Sequence, residues 1–328
     1  MLLRKPAFYF PIERPLYEVS AGLKPFGFDF GNSDLDQKIF QIHHNFQSYR
    51  QNKIECRHEN LNKYFTHLNL PPDHAQTLAQ FIIARLTLDY PEIFELQQKQ
   101  NEVTLKCLHT HDQIIFNTEY TLIHFISVEK INPSPLHLLD ALALQIPEDF
   151  ALLCLRPDGS NDLSLLHLCS ASHWAAKDKI GKPFIEVHKP IPHIEKINKT
   201  SENIIQAMIH KGPFVRFAWS FVTDTRLNHN PIPPPGIDPI VWKGRSFNKD
   251  FEIPFYIRIE RQVIYGFPKL NTSFFGIGIT FVDALTIKKN ETMKNNLIGA
   301  LLSMSSDSQK YKGIDHCFND LIEWLSKP

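Results

Sequence analysis

The chain has 328 residues, of which 43% are hydrophobic and 21% charged, so there is enough apolar surface to exclude disorder along its whole length. Lys plus Arg and Asp plus Glu each number 35, and this zero net charge argues against a broad nucleic-acid-binding surface, which needs a basic excess. No apolar run approaches the roughly 18–20 residues of a membrane span. The first residues carry Pro and Glu where a signal peptide would be apolar, so we expect a cytoplasmic protein.

The N-terminal part predicts an arm followed by helices. Residues 1–34 are rich in Pro and Phe, which indicates an extended arm lying on the body of the protein. A helix is predicted to begin at Ser33 or Asp34, because apolar residues follow at helical spacing: Leu35, Ile39, Ile42 and Phe46. Further helices are predicted over Asp73–Tyr90 and Pro135–Gln145.

The middle of the chain predicts strands. A hairpin is expected from Phe150–Arg156 and Leu163–Cys169, and three more strands from Phe214–Val222, Phe255–Phe267 and Ser273–Val282. With a last helix over Ile314–Leu325, the predicted class is α+β, with one central antiparallel sheet of about five strands. We divide the chain into an arm and helical region (1–145), a sheet core (146–290) and C-terminal helices (291–328).

The cysteines are scattered and odd in number: Cys56, Cys107, Cys154, Cys169 and Cys317. Without a Cys-x-x-Cys pair, they are typical of buried reduced thiols rather than of a disulfide framework or a zinc site. The sixteen histidines exceed expectation, and one of them could be a metal or haem ligand.

The fourth predicted strand carries Arg261 in an otherwise apolar row, with Arg258, Glu260 and Gln262 on the opposite face. A buried guanidinium needs a partner, so Arg261 either binds a ligand carboxylate or phosphate, forms a structural ion pair, or lies at the exposed end of the strand. In the fifth strand, Gly276 and Gly278 face the same way. They indicate close approach by a flat ligand, by a packed helix or at a bulge.

The insert between the second and third strands contains His188 just before a Pro-x-Pro segment, which predicts extended backbone at the histidine. Such a stiff, largely apolar loop suits an axial ligand, although a histidine satisfied in a partial core is the common alternative. A short helix, capped by Ser170 or Ser172 and ending at Gly181, is expected earlier in the insert.

Several motifs in order resemble the haem-dependent oxidative N-demethylase family. Two blocks of residues, taken together, are specific to this family. The first contains Trp174, Lys179-Ile180-Gly181 and His188-Lys189-Pro190-Ile191-Pro192, and the second is Glu260-Arg261-Gln262. Other matching positions extend the resemblance over nearly the whole chain: Gly27, Leu35-Asp36, Tyr49, Tyr90-Pro91, Glu148-Asp149-Phe150, Leu168-Cys169-Ser170, Arg216, Trp219-Ser220 and Phe267-Pro268.

The resemblance implies a PAS-like sheet binding one haem b, which oxidises a secondary amine such as dimethylamine and releases formaldehyde. In this family ferrous haem uses dioxygen, and electrons come from a separate reductase that carries NADPH, flavin and iron–sulfur centres. Carried over, His188 is the expected iron ligand, with His173 or His193 as alternatives, and Arg261 the expected propionate partner. Arg216 and Trp219 are expected to contact the haem, and Gly276 and Gly278 to leave room for it. No nucleic-acid or membrane partner is expected.

Some positions depart from the family pattern. Tyr265-Gly266 stands where arginines are usual, Gly278 replaces a basic residue and Ala218 an asparagine. These losses predict poor activity on dimethylamine, unless His109, His111 and His124 line a different pocket. The alternatives are a non-catalytic PAS-like sensor of haem or a small ligand, and an unrelated small-molecule binder.

Overall fold

The computed structural model describes residues 3–327, which form two antiparallel sheets flanked by helices. The larger sheet has seven strands in the order β1-β9-β10-β11-β7-β8-β2, and the smaller has four in the order β3-β4-β5-β6. The strands are β1 (Lys24–Pro25), β2 (Phe65–His67), β3 (Phe94–Lys99), β4 (Glu102–Cys107), β5 (Gln113–Asn117), β6 (Leu122–Ile126), β7 (Asp149–Leu155), β8 (Asn161–His167), β9 (Phe214–Val222), β10 (Tyr256–Phe267) and β11 (Thr272–Asp283).

The helices precede, interrupt and follow the large sheet. They are α1 (Phe46–Tyr64), α2 (Pro72–Asp89), α3 (Leu138–Ala143), α4 (Phe184–His188), α5 (Glu195–Lys199), α6 (Ser201–His210), α7 (Pro239–Lys243), α8 (Ala284–Lys289), α9 (Glu291–Leu302), α10 (Ser306–Tyr311) and α11 (Phe318–Ser326), with 3-10 turns at Ser33–Gln37, Ala176–Asp178 and Pro268–Leu270. Within the described part of the chain, every helix is too short or too polar to span a lipid bilayer.

The five predicted strands are all present and lie side by side as β9-β10-β11-β7-β8. The predicted number is nevertheless wrong, because the short strands β1 and β2 extend this sheet at its two edges. The description of residues 1–145 as an arm and helices is also incomplete, because the second sheet lies there. Strand β3 is exposed after its first residue, so it lacks the apolar alternation by which strands are recognised.

The helix predicted to begin at Ser33 or Asp34 is wrong beyond one turn. Asp36 accepts hydrogen bonds from the main-chain N–H groups of Phe30 and Asn32, at 2.8 and 3.0 Å, and from the hydroxyl of Tyr9. Farther on, the N–H of Gln41 donates to Oε1 of Glu148 at 2.8 Å. Within the predicted helix, the N–H groups of Gln41 and Ile42 are therefore bonded to side chains instead of to carbonyls one turn earlier, and α1 begins only at Phe46.

The N-terminal arm and the C-terminal helices pack together on one face of the large sheet. Tyr9 and Ile12 are buried in the same cluster as Leu297 and Leu321. The arm lies so close to α9 that a Cβ atom on Gly299 would stand 2.3 Å from that of Pro15. The opposite face of the sheet is covered by the insert between β8 and β9, which places α6 against β10 and α4 against β8, in one cluster with Ile264.

Candidate functional site

Strand β10 carries the residues of the site on two faces. Ile257, Ile259 and Val263 pack on the side of the arm and C-terminal helices, and Ile264 packs against the insert. Side chains alternate along a strand, so Arg258, Glu260 and Gln262 lie on the insert side together with Ile264. The predicted division of this strand into two faces is confirmed, and both faces are covered.

His188 lies at the end of α4 on the insert side. Its Nδ1 is 2.7 Å from the carbonyl oxygen of Phe184, and the two rings are 4.2 Å apart between centroids. A carbonyl only accepts hydrogen bonds, so Nδ1 carries the proton and the lone pair remains on Nε2. Burial, with nearby Lys179 and Arg216, lowers the pKa of His188 to about 4.

The extended backbone predicted at His188 is wrong. Pro183 has extended dihedrals and starts the helix at Phe184, and Lys189, which directly precedes Pro190, still has helical dihedrals. The restriction that proline imposes acts on the residue before it, which is Lys189 and not His188. The expected short helix ahead of Gly181 is reduced to the 3-10 turn Ala176–Asp178, and no side chain of Ser170 or Ser172 caps it.

Four cationic side chains interact with the Glu260 carboxylate: Lys179, Arg216, Arg258 and Lys312. Glu260 accepts a hydrogen bond from Nε2 of Gln262 at 2.9 Å and lies 3.9 Å from Nη2 of Arg258. Burial lowers the pKa of Lys179 and of Lys312 to about 8, and Glu260 opposes both shifts. The cluster therefore holds more positive charge than its central carboxylate can balance.

Arg216 and Gln262 face each other across β9 and β10, and each retains an unused polar atom. They are register partners, and neither Nε of Arg216 nor Oε1 of Gln262 has a partner among residues 3–327. Burial lowers the pKa of Arg216. Arg258 is better satisfied, since its guanidinium donates to the carbonyl groups of Ser170 and Leu227.

Arg261 lies on the other face of β10 from His188. Its guanidinium donates to the carbonyl oxygens of Lys38 and Ile39, at 2.9 and 3.4 Å, and packs 5.8 Å from the ring centroid of Phe26. Among the described residues it forms no ion pair within 4 Å, although its charge interacts with the buried Glu148 carboxylate and its Nε has no hydrogen-bond partner. Binding of a ligand anion stays a prediction. Its register partner is Gly278.

The two strand glycines face protein side chains. A Cβ on Gly276 would lie 2.9 Å from the ring of Phe274, and one on Gly278 would lie 3.5 Å from the side chain of Glu148. Beside Gly278 and Arg261 is a cavity of about 10 Å³, which is the size of one water molecule. In this structure the glycines therefore accommodate packing within the protein.

Trp219 lies on the opposite face of the sheet from His188, because it is the register partner of Ile259 and packs with the arm and the C-terminal helices. Nζ of Lys312 donates to the carbonyl oxygen of Trp219 and lies 4.5 Å from its ring centroid. Lys179 is placed in a similar way, 3.9 Å from the ring of Trp174. Neither Lys179 nor Lys312 was predicted from the sequence as a site residue. Lys179 could have been found from the sequence, because Trp174 lies near it in the chain. Lys312 is brought to the site only by the tertiary fold.

The other candidate histidines have different surroundings. Nε2 of His193 lies 2.9 Å from the hydroxyl of Ser305, and the ring of His173 lies 5.3 Å from that of His229. His109, His111 and His124 are exposed, on β6 and on the β4–β5 loop of the small sheet. Among the proposed iron ligands, His188 combines partial burial, a fixed tautomer and an unbonded Nε2.

The chain matches the family described as haem-dependent oxidative N-demethylase, alpha subunit-like, over residues 31–322. The match includes both sheets, the insert with His188 and the C-terminal segment with Lys312. The chain therefore belongs to the haem-dependent oxidative N-demethylase, alpha subunit-like family.

Proposed function

We propose that the chain binds one haem b on the insert side of the large sheet and oxidatively demethylates a small secondary amine, releasing formaldehyde. The observation that carries this proposal is the position of His188, whose unbonded Nε2 lies beside a cluster with excess positive charge. The contiguous five-strand core, covered by the insert, supports the PAS-like description.

The donor atom of His188 fits an axial ligand. Histidines that bind a metal donate their other ring N–H to a carbonyl or carboxylate, which fixes the ring and its tautomer. The bond from Nδ1 to the Phe184 carbonyl has this form. With its pKa near 4, the imidazole is neutral at physiological pH, so no proton competes for Nε2.

The charge of the cluster fits the two carboxylates of haem. Lys179, Arg216 and Lys312 share Glu260 as counter-ion, and Nε of Arg216 has no partner. A buried, unbonded guanidinium nitrogen is costly, and a carboxylate would satisfy it. We therefore propose that these three cations hold the propionates. Arg261 and the two glycines, which the resemblance also implies, lie on the opposite face.

Haem supplies the oxidative chemistry, and the protein supplies ligation, orientation and charge. The four cations around Glu260 repel a protonated amine, so the site favours the neutral amine unless the propionates compensate their charge. Gln262 holds Glu260 in place through its amide N–H, which leaves that carboxylate able to accept a proton or hydrogen bond from the substrate. Trp174 provides apolar surface beside Lys179.

Electrons would come from a separate reductase that carries NADPH, flavin and iron–sulfur centres, with dioxygen as co-substrate. We propose a cytoplasmic location, in keeping with five free cysteines. We also retain the division into residues 1–145, 146–290 and 291–328 as a proposal.

The test is a visible spectrum of the protein purified with adequate haem supply, followed by formaldehyde measurement over a panel of secondary and tertiary amines with a competent electron donor. One haem per chain and formaldehyde release would support the proposal. A haem spectrum without turnover on any amine would favour a haem sensor, and no haem at all would reject both the demethylase and the haem sensor.

A further inference from the structure

A second cluster of ligand-type side chains lies at the ends of β7 and β8. Asp149 begins β7, His167 ends β8, and Cys169 follows two residues later. All three are buried, and one ligand atom from each lies within 4.8 Å of the others. Nδ1 of His167 is 3.9 Å from Sγ of Cys169. The spacing of the cysteines in the sequence did not indicate this cluster, because pairing of the strands assembles it.

One carboxylate oxygen of the cluster lacks a partner. Oδ2 of Asp149 accepts the main-chain N–H of Ser170 at 2.5 Å, but the buried Oδ1 has no hydrogen bond among the described residues. The nearby ammonium group of Lys53 does not supply one, because it donates to the carbonyls of Ala143, Ile146 and Glu148, which uses its three protons. An unsatisfied buried carboxylate oxygen is costly, and a cation beside it would remove that cost.

The environment of His167 is that of a metal-binding imidazole. Its Nε2 lies 3.7 Å from Oδ1 of Asp140, which is itself paired with the guanidinium of Arg57. A carboxylate behind the far nitrogen orients a histidine and strengthens its donor nitrogen toward a metal. Nδ1 is thereby left to face Cys169.

We propose that Asp149, His167 and Cys169 bind a structural divalent transition-metal ion, with Zn²⁺ as the best match. Thiolate and imidazole donors select zinc over Mg²⁺ and Ca²⁺, which take oxygen ligands. Tetrahedral zinc with ordinary bond lengths places its nitrogen and sulfur ligands about 3.6 Å apart, close to the distance present here. The Cys169 thiolate and the Asp149 carboxylate balance the charge of the ion, and the thiol proton is released on binding.

Cys56 lies next to the three ligands, and its thiol donates to the carbonyl oxygen of Cys169 at 3.6 Å. Its Sγ is outside the group of ligand atoms that lie within 4.8 Å of one another, so its side chain would have to turn toward the ion to become the fourth ligand. Structural zinc is almost always four-coordinate, and such sites are closed and load as the chain folds. The ion would fix the loop after β8, where the Ser170 carbonyl receives the hydrogen bond of Arg258. Through this bond the ion would stabilise Arg258 on the insert side of the sheet, although the ion itself would not belong to the haem site.

The first test is elemental analysis of the full chain, expressed with zinc in the medium, with haem iron counted separately. We expect close to one zinc per chain, whether or not haem is present. Cys169→Ser and His167→Gln should contain little zinc, whereas Cys107→Ser, which alters a buried thiol of β4 outside the cluster, should retain it. Folded wild-type protein with almost no zinc, or equal zinc in all variants, would overturn the proposal.

A second measurement uses only the wild-type protein, so it tests the proposal even if the variants fail to fold. Wild-type protein, refolded with Co²⁺ in place of zinc, should show thiolate-to-cobalt charge-transfer absorption, and refolding with a chelator should lower the melting temperature. Absence of the cobalt band in protein that has native circular dichroism would contradict thiolate ligation. Both readouts are independent of amine oxidation, so failure here leaves the proposed function unaffected.

Discussion

Nδ1 of His188 donates a hydrogen bond to the carbonyl oxygen of Phe184, one helical turn earlier and 2.7 Å away. Through this bond, the short helix α4 holds the ring of the proposed iron ligand in place. Because both groups belong to α4, the ring is oriented by local structure and does not depend on the ligand. The expected consequence is a preformed donor nitrogen, which can be tested by substitution.

Replacing His188 with alanine should reduce haem affinity by roughly tenfold or more, because it removes the bond between protein and iron. Haem stoichiometry and the ferrous spectrum measure the effect. His193→Ala is the control, since that ring is already bonded to Ser305 and should leave both readouts unchanged. If His188→Ala keeps the wild-type spectrum, His173 or His193 becomes the ligand to test.

Arg216 and Arg261 lie on opposite faces of the large sheet, so replacing one or the other with methionine should have different effects. Arg216→Met should weaken haem retention, because it removes a buried cation with an unbonded Nε from the proposed propionate site. Arg261→Met should lower the melting temperature equally with and without haem, since it loses bonds to the carbonyls of Lys38 and Ile39 worth about 1.5–3 kcal/mol each. Selective loss of haem in Arg261→Met would instead assign that arginine to the propionates.

Haem affinity should fall as the pH rises above about 8. The pKa values of Lys179 and Lys312 are about 8 in the free protein, so below this pH both are charged and attract the propionates. The stability of the haem-free chain should rise between pH 8 and 10.5, the ordinary lysine value, because there the unfolded chain binds more protons.

Spectroscopic titration across this range measures the affinity, and denaturant unfolding measures the stability. Lys312→Met should flatten both profiles, whereas Lys310→Met, which changes an exposed lysine two residues away, should not. Haem affinity that does not vary from pH 7 to 10 would show that the lysines are not propionate partners.

Restoring the asparagine usual in the family at position 218 should raise amine turnover. Ala218 is the register partner of Glu260, so Ala218→Asn would place an amide beside the carboxylate at the centre of the cation cluster. One hydrogen bond to a charged group is worth about 1.5–3 kcal/mol, which corresponds to a rate gain of roughly tenfold to a hundredfold. Formaldehyde release from dimethylamine is the readout. Ser220→Asn, on the same face, is the control, and equal gains in both would contradict a specific role at position 218.

The other departures from the family pattern have structural explanations that the sequence did not reveal. A Cβ on Gly266 would lie 2.0 Å from the carbonyl oxygen of Ile209, so this position is occupied by the end of α6. Gly278 lies beside Glu148, on the face away from His188. The expectation of poor dimethylamine turnover therefore depends, within the site described here, on Ala218.

The features that could be predicted from the sequence are those encoded by residues close together in the chain. The five core strands and α2 have strong apolar periodicity, and their positions agree with the structure to within a few residues. The small sheet was missed because strands such as β3 lie mostly in solvent. Lys312 and the Asp149–His167–Cys169 cluster were missed for another reason: strand pairing and helix docking bring these groups together from distant segments.

The contact between the arm and the C-terminal helices has a consequence for how the protein folds. The N–H of Tyr17 bonds to the hydroxyl of Ser303, which is 286 residues away, and Lys312 comes from the same C-terminal segment. Contacts of such long sequence separation close late and slow folding, because loop entropy opposes them. During synthesis, the central strands can pair before the last helices leave the ribosome, but the cation cluster cannot yet be complete. We therefore expect haem to be captured by the finished chain and not by the nascent one.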